Sequence, residues 1–374
     1  MKQPHAYKKR ILLAVSGMSP QIVTETLYAL AVNQTDAFIP TEIHLISTNA
    51  GKNEAVLKLL HPKTGQFYQL CNDYGLTGIE FSEKNIHVIA NKQGVLLDDI
   101  KTPEENEAAA DFITQKVNEL TRDDDSALHV SIAGGRKTMG YYLGYALSLY
   151  GRAQDRLSHV LVTDRYESLR DFFYPTPYSH VVHDRDNKAL DAQAAEVILA
   201  SIPFVRLRTG LPKCFLENNV SFNDSVRFAR SLEADPVLEI DLEKRRLFAN
   251  GIEVKLKPID FPFYLWMIQE TVFKNDRIKR GADSNLDYAD SFLSLYETLC
   301  AKVKDIEKTQ EAMKKGMDDS WLSDRNTAVN KAFKKALGDY GARSFLVVSD
   351  GKNNNRTYHL TLTQAQIIGF NPKI

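Results

Sequence analysis

Two short loops of this 374-residue chain combine flexible backbone with side chains that can bind an anion. The loops are Ser16-Gly17-Met18-Ser19-Pro20-Gln21 and Ala133-Gly134-Gly135-Arg136-Lys137-Thr138. In the first, Gly17 lets the backbone approach a ligand, while Ser16 and Gln21 supply hydrogen-bonding groups. In the second, Arg136 and Lys137 stand at the predicted start of a helix, whose dipole also favours negative charge. Each loop is therefore a candidate site for a phosphate group.

Each loop also has an ordinary explanation, because glycine pairs commonly turn a strand into a helix and exposed Arg-Lys pairs are commonly solvated. The two loops together favour a ligand more than either does alone. Neither carries the GxGxxG or GxxxxGK[ST] pattern, so a nicotinamide cofactor or a nucleoside triphosphate is not predicted. The cysteines, Cys71, Cys214 and Cys300, lie far apart and form no ligand spacing, so we expect no metal, no cofactor and no disulfide framework.

The elements that position the loops alternate between strand and helix patterns. Apolar runs predict strands at 11–15, 43–47, 86–89, 128–133 and 159–163. Helical spacing predicts a helix that starts at Pro20 under a Ser19 cap, one over 104–120, and one after the fourth strand. This alternation predicts a Rossmann-like α/β domain with a mostly parallel sheet, whose ligands bind at the carboxyl ends of the strands. Both loops fall at that edge.

Three stretches of the first half resemble the CRISPR-associated Rossmann-fold (CARF) domains of type III CRISPR systems, and among these the ring-nuclease family. The stretches are LLAVSGMSPQIVTETLYAL (12–30), SIAGGRKTMGYYLGYALSLYG (131–151) and VTDRYESLRDFFYPTP (162–177). The resemblance implies a homodimer that binds a cyclic tetra- or hexa-adenylate across its two-fold axis, each protomer contributing both loops. A symmetric ligand suits such an interface.

The resemblance, combined with RNA chemistry, suggests how this ligand would be cleaved. A ribose 2′-OH can attack the neighbouring phosphate when held in line with the leaving oxygen, without a metal or an enzyme nucleophile. The resemblance makes Ser16 and Lys137 the leading catalytic residues, and Arg136 joins Lys137 in stabilising the phosphorane. Predicted ligand contacts are Gly17, Met18, Ser19, Gln21, Gly134, Gly135, Thr138, Tyr141, Asp164 and Arg165. Met18 and Tyr141 fit a core or dimer position equally well, and the same contacts would serve a sensor that binds without turnover.

The chain divides into three predicted parts: a CARF domain over 1–185, a linker with a helix at 189–200 over 186–235, and a second domain over 236–374. In the last part, short alternating segments with an Asn250-Gly251 turn precede an apolar helix over 259–272. A basic helix over 324–340 and a terminal hairpin follow, a pattern typical of a winged-helix-like α+β domain. A helical insertion over about 277–320 includes an amphipathic helix over 286–315, which suits a dimer contact or ordinary packing.

The second domain carries no ribonuclease motif of the kind that often accompanies CARF domains. His359 follows Arg356 by three positions, too close for the Arg-x4-6-His pattern of HEPN ribonucleases. Possible contacts to double-stranded DNA are Arg325, Lys331, Lys334, Lys335 and Arg356. The resemblance to the ring-nuclease family thus implies a metal-independent ring nuclease that ends the type III CRISPR signal. The alternative is a winged-helix regulator that senses cyclic oligoadenylate with little or no cleavage.

Bulk properties set the remaining expectations. A net charge of −1 gives no overall attraction to nucleic acid, so any polyanion site must come from local basic groups. The chain has no apolar run of membrane-spanning length and begins without a signal-peptide pattern. We therefore expect a cytoplasmic protein that does not bind membranes.

Overall fold

The computed structural model describes residues 2–167, 169–184, 186–208, 211, 221–280, 285–300, 306–351 and 356–372. These residues form two compact units. Of the described residues, the first unit contains those up to Leu211 together with 221–225, and the second contains those from Val226 onward. Within the described part of the chain, no helix is both long and apolar enough to cross a membrane.

The first unit is built on a six-stranded sheet in the order β3-β2-β1-β4-β5-β8. Its strands are β1 (Lys9–Val15), β2 (Glu42–Ser47), β3 (Ile86–Val88), β4 (Ser126–Ser131), β5 (Arg156–Val162) and β8 (Val197–Ser201), with β6 (Val181–His183) and β7 (Ala189–Asp191) pairing separately. Its helices are α1 (Gln21–Ala31), α2 (Asn49–Leu59), α3 (Gln66–Asp73), α4 (Pro103–Leu120) and α5 (Lys137–Tyr150), with single 3-10 turns at Pro4–Ala6, Glu83–Asn85 and Ala192–Ala194.

The first five strands run parallel, and β8 closes one side antiparallel to β5. Strand β4 is buried along its whole length and β1 is buried from Ile11 onward, as expected for strands covered on both faces. The predicted Rossmann-like sheet is confirmed. Because parallel strands end at one edge, the loops after β1 and β4 lie side by side there.

Two sequence predictions in this unit are wrong in detail. The segment 189–200, predicted as a helix from its alanines, instead forms β7 and most of β8. Residues Val197–Ser201 pair with β5 and form the outer strand of the sheet, so their backbone groups hydrogen-bond to β5. This pairing outweighs the helix propensity of alanine. Helix α1 begins at Gln21 rather than Pro20, and no side chain caps its first turn. Ser19 therefore lies in the loop before the helix.

The second unit has the α+β composition predicted for it. Its strands are β9 (Leu238–Asp241), β10 (Arg246–Ala249), β11 (Ile252–Glu253), β12 (Ile278–Lys279), β13 (Val348–Asp350), β14 (Thr357–His359) and β15 (Ile367–Ile368). They form the sheets β11-β10-β9-β15 and β12-β14-β13. The helices are α7 (Asp260–Ile268), continued by a π turn at Gln269–Phe273, α8 (Asn285–Cys300), α9 (Ile306–Met313) and α10 (Asp319–Gly341), with 3-10 turns at Arg343–Phe345 and Gln364–Gln366. Helix α6 (Phe222–Glu233) precedes β9.

Helix α7 is buried on every side and forms the centre of this unit. Phe292 of α8 packs against it, 6.2 Å from the Trp266 ring, so the predicted amphipathic helix contributes to an ordinary core. The prediction was of a long amphipathic helix within 286–315. The described residues of this range form α8 and α9, and 301–305 lie outside the described residues. The tip of the predicted terminal hairpin, 352–355, the linker residues Gly210 and Pro212, and Cys214 also lie outside the described residues.

The sheet of the first unit buries a neutral histidine, whose contribution to stability depends on pH. Burial lowers the pKa of His129 from 6.5 to about 3, and its Nε2 lies 2.7 Å from Ser158 Oγ. Below pH 6.5 the unfolded chain binds a proton at this residue that the folded chain does not, so the contribution of His129 to stability decreases as the pH falls. Between pH 7 and pH 5, His129→Gln should therefore shift the change in the free energy of unfolding by about 2 kcal/mol in favour of pH 5, relative to the unmodified protein.

Urea denaturation at the two pH values measures this change. The exposed-site control His183→Gln should show the same change as the unmodified protein, and equal changes for all three proteins would contradict the assignment.

Candidate functional site

The loops that follow β1 and β4 approach each other closely at the carboxyl edge of the sheet. A Cβ placed on Gly17 would lie 4.0 Å from the Cα of Gly135, so the two backbones are neighbours. Gly135 has a φ of +75°, a left-handed conformation that favours glycine. Gly134 packs with no room to spare, since an added Cβ would lie 2.5 Å from the carbonyl oxygen of Val15. The glycines therefore let the loops meet.

This packing predicts a difference between two glycine substitutions. Gly134→Ala would force its methyl group against Val15 and Ile22, and we expect a loss of about 2 kcal/mol in the free energy of unfolding. Gly17→Ala meets only ordinary contact distance and should change stability by less than about 1 kcal/mol. Denaturant titration of the two variants measures this directly. Equal stability of both variants would show that the loop after β4 can shift freely.

The two loops lie between two clefts on the first unit and separate them. The larger, the Lys137 cleft, has a volume of about 1200 Å³ and is lined by Gly17, Arg136, Lys137 and Thr138 together with Lys101 and Asp99. The smaller, the Glu25 cleft, has a volume of about 750 Å³ and is lined by Gln21, Glu25, Gly134, Asp164 and Glu167. Met18, Ser19 and Gly135 line both clefts. The structure thus brings most of the predicted ligand residues to one edge.

Three helices begin at the Lys137 cleft and turn their positive ends toward it. Thr48 at the start of α2, Thr102 at the start of α4 and Lys137 at the start of α5 all line it. The Thr48 and Thr102 side chains cap their own helices, but no side chain caps α5. The backbone N–H groups of Lys137 and Thr138 in the first turn of α5 are therefore available to an anion, whereas that of Met139 donates to the carbonyl of Arg136 at 2.8 Å.

The two cations of the loop after β4 differ in their surroundings. Arg136 Nε and Nη2 donate to the two carboxylate oxygens of Asp99 at 3.0 and 2.6 Å. This paired geometry lowers the pKa of Asp99 and holds the guanidinium in place. Lys137 is exposed and forms no ion pair with any residue that the structure describes. Of the two, Lys137 is the cation that can reach a ligand without breaking an ion pair.

Ser16 lies beneath the loops rather than in either cleft. Its N–H donates to the carbonyl of Ile46 at 3.0 Å, and its carbonyl accepts from Ser47 Oγ at 2.7 Å. The residue is fully buried, and its Oγ has no hydrogen-bond partner within the described chain. The backbone of Ser16 therefore anchors the loop after β1. A contact between its side chain and a ribose stays a prediction.

Glu25 is the main residue of this edge that sequence analysis missed. It lies one turn after Gln21 on α1, and its carboxyl makes no hydrogen bond with any described residue. Burial, together with the nearby charge of Glu167, raises the pKa of Glu25 from 4.5 to about 8. A carboxyl group in this cleft is thus neutral at pH 7. The sequence did contain a signal for Glu25: it follows Gln21 by four residues on the helix after the loop, so both side chains lie on the same face of that helix.

Two other predicted contacts lie away from the cleft linings. Tyr141 is 63% exposed on α5 and stacks on Tyr145 at a ring distance of 6.2 Å. Arg165 is exposed in the segment after β5. Asp99 was also missed, because it lies in the irregular chain between β3 and α4, where no periodic pattern predicts its position.

A sequence profile described as CRISPR-associated protein NE0113 matches residues 19–231, more than half of the chain. The chain belongs to this family of CRISPR-associated proteins. The match confirms the CRISPR association that the loop sequences indicated, and it covers the residues that line the two clefts apart from Gly17 and Met18. A search of curated proteins finds no significant match.

In this NE0113-family protein, the matched range ends within α6, so most of the second unit lies beyond it. The residues of the second unit that were predicted to contact DNA differ in their exposure and in their partners. Lys331, Lys334 and Lys335 are exposed on α10, but the Arg325 guanidinium donates to the buried carboxylate of Asp260 at 2.8 Å. The Arg356 side chain is partly buried. Arg325 therefore serves the core of the second unit.

Proposed function

We propose that this protein binds cyclic oligoadenylate at the Lys137 cleft and opens the ring to linear products. The observation that supports this most strongly is the convergence of three helix starts with Lys101, Arg136 and Lys137 on one cleft. Asp99, which pairs with Arg136, and Asp98 also line this cleft and offset part of the charge. The helix starts and Lys137 leave positive charge that suits a phosphodiester ligand. Membership of a CRISPR-associated family makes a cyclic nucleotide messenger the first ligand to test.

The proposed reaction is attack by a ribose 2′-oxygen on the adjacent phosphorus. The bond from this oxygen to phosphorus forms, the bond to the 5′-oxygen breaks, and the proton released from the 2′-hydroxyl is balanced by one taken up at the 5′-oxygen. The products carry a 2′,3′-cyclic phosphate and a 5′-hydroxyl. Lys137 would stabilise negative charge on the phosphorane oxygens, and Arg136, held by Asp99, would orient the phosphate.

The active form in this proposal is a homodimer. A cyclic ligand with repeated nucleotides presents the same groups to two protomers, so a two-fold axis lets both Lys137 clefts contact one ring. The exposed Tyr141 on α5 is a candidate for contact with the second protomer or with the ligand.

A second candidate is a regulator in which ligand binding changes the affinity of the second unit for double-stranded DNA. The lysines Lys331, Lys334 and Lys335, exposed on one helix, favour it because they supply positive charge, although Asp339 pairs with Lys334 at 3.0 Å. Such coupling requires that the ligand bind two conformations with different affinity.

Cleavage of labelled cyclic tetra-adenylate in the presence of EDTA distinguishes the candidates. Cyclic and linear products are resolved over time for the purified protein beside its Lys137→Ala variant. Conversion by the unmodified protein supports the ring nuclease, and binding without conversion supports the regulator. Absence of both binding and conversion with cyclic tetra- and hexa-adenylate would refute the proposed ligand.

A further inference from the structure

The Glu25 cleft combines apolar walls with hydrogen-bonding groups. Ile22 of α1, Val160 and Val162 of β5, and Leu169 supply apolar surface. Charged or titratable groups that line the cleft from the packed elements are Glu54 and Lys58 of α2, His159 of β5, and Asp164, Glu167 and Arg170 of the segment after β5. This arrangement suits a flat, uncharged ring with polar atoms on its edge.

Gln21 gives independent evidence that a polar ligand belongs in this cleft. The side chain is nine-tenths buried in the cleft wall, and its Nε2 donates to the carbonyl of Arg170 at 3.1 Å. Its Oε1 finds no partner within the described chain. A buried acceptor without a donor costs about 1–3 kcal/mol, which a donor from a ligand would recover.

We propose that Glu25 and Gln21 form a subsite that binds one adenine base of the cyclic oligoadenylate by its 6-amino edge. The inference rests on the proposed function, because the backbone of the same ligand would occupy the Lys137 cleft. Met18, Ser19 and Gly135 line both clefts, so a nucleotide lying over these loops can place its phosphate in one and its base in the other.

The chemistry of the adenine edge explains why a neutral carboxyl is suited to it. The edge presents an amino donor next to a ring-nitrogen acceptor. A neutral carboxyl offers one donor and one acceptor, whereas a carboxylate offers acceptors only and would repel the ring nitrogen. With its pKa raised to about 8, Glu25 keeps its proton at pH 7 and can donate to that nitrogen. Gln21 Oε1 can accept from the amino group.

The test measures the affinity for labelled cyclic tetra-adenylate between pH 6 and pH 9.5 at constant ionic strength, within seconds of mixing. For the unmodified protein we expect affinity to fall about tenfold between pH 7 and pH 9 for each Glu25 that the ligand contacts. Glu25→Gln keeps one donor and one acceptor at every pH, so its affinity should stay constant. Glu54→Gln removes a charge from the same cleft, where Glu54 already pairs with Lys58 at 3.0 Å, and should retain the fall.

The outcomes separate this inference from the function on which it rests. Tight binding at pH 7 with the same pH dependence for the unmodified protein and Glu25→Gln would overturn the adenine subsite and leave the proposed ligand intact. A failure of all three proteins to bind at every pH would refute the ligand and the subsite together.

Discussion

Replacing Lys137 with alanine is expected to slow ring opening by about 10²- to 10³-fold, the usual effect of removing one group that stabilises charge in the transition state. Lys137 begins α5, lines the larger cleft and has no ion pair among the described residues, so its charge is available to the phosphorane. Affinity for the cyclic ligand should fall far less, since the helix starts and Arg136 remain. Single-turnover cleavage and equilibrium binding, measured separately, test both expectations.

Lys101→Ala is the matched control for this experiment. Lys101 also lines the Lys137 cleft, but its Nζ lies 3.7 Å from the Asp99 carboxylate, and it does not begin a helix. We expect its removal to reduce cleavage less than about tenfold. Equal losses for the two variants would mean that the cleft acts through its total charge, and full activity of Lys137→Ala would remove this residue from the reaction.

Replacing Glu25 with glutamine is expected to stabilise the folded protein by about 3 kcal/mol at pH 7. The unfolded chain ionises this carboxyl near pH 4.5, whereas the folded chain keeps it protonated up to about pH 8. Ionisation of Glu25 therefore lowers the stability of the unmodified protein as the pH rises from 4.5 to 8, and the glutamine variant lacks this contribution.

Denaturant titrations at pH 4.5, 7 and 8.5 test the sign as well as the size of this effect. The two proteins should have similar stability at the lowest pH and differ most at the highest. Glu54→Gln, which changes an ion-paired glutamate of the same cleft, should leave the pH dependence unchanged. A constant difference between Glu25→Gln and the unmodified protein at all three values would contradict the raised pKa.

The sheet could be predicted from the sequence because its strands are short apolar runs and its helices keep a regular spacing. The same reasoning located the two loops, since the carboxyl ends of parallel strands meet at one edge. It failed for β8, where the alanines of 189–200 indicated a helix and pairing with β5 decided otherwise. The local propensity of a segment does not indicate which distant strand it will pair with.

The sequence predicted which loops form the site but not the ion pairs and protonation states of its charged residues. Lys137 and Gln21 follow recognisable loops, but the partner of Arg136 is Asp99, which is 37 residues away and lies in irregular chain. The raised pKa of Glu25 likewise depends on its burial in the fold and on the charge of Glu167, from a distant part of the chain. Sequence spacing identifies candidate groups, whereas their charge states depend on neighbours that only the folded chain brings together.

The polar groups around Arg152 and those of the two loops differ in how fully they are satisfied. At the amino edge, Arg152 donates to both carboxylate oxygens of Asp155, which also accepts from the N–H of Leu128. At the carboxyl edge, Ser16 Oγ and Gln21 Oε1 lack partners among the described residues. We therefore expect amide hydrogens of the two loops to exchange with solvent sooner than those near Arg152, and a bound ligand to slow that exchange. The backbone of the two loops would thus be less stable than that near Arg152, at a place where a bound ligand can supply the missing hydrogen bonds.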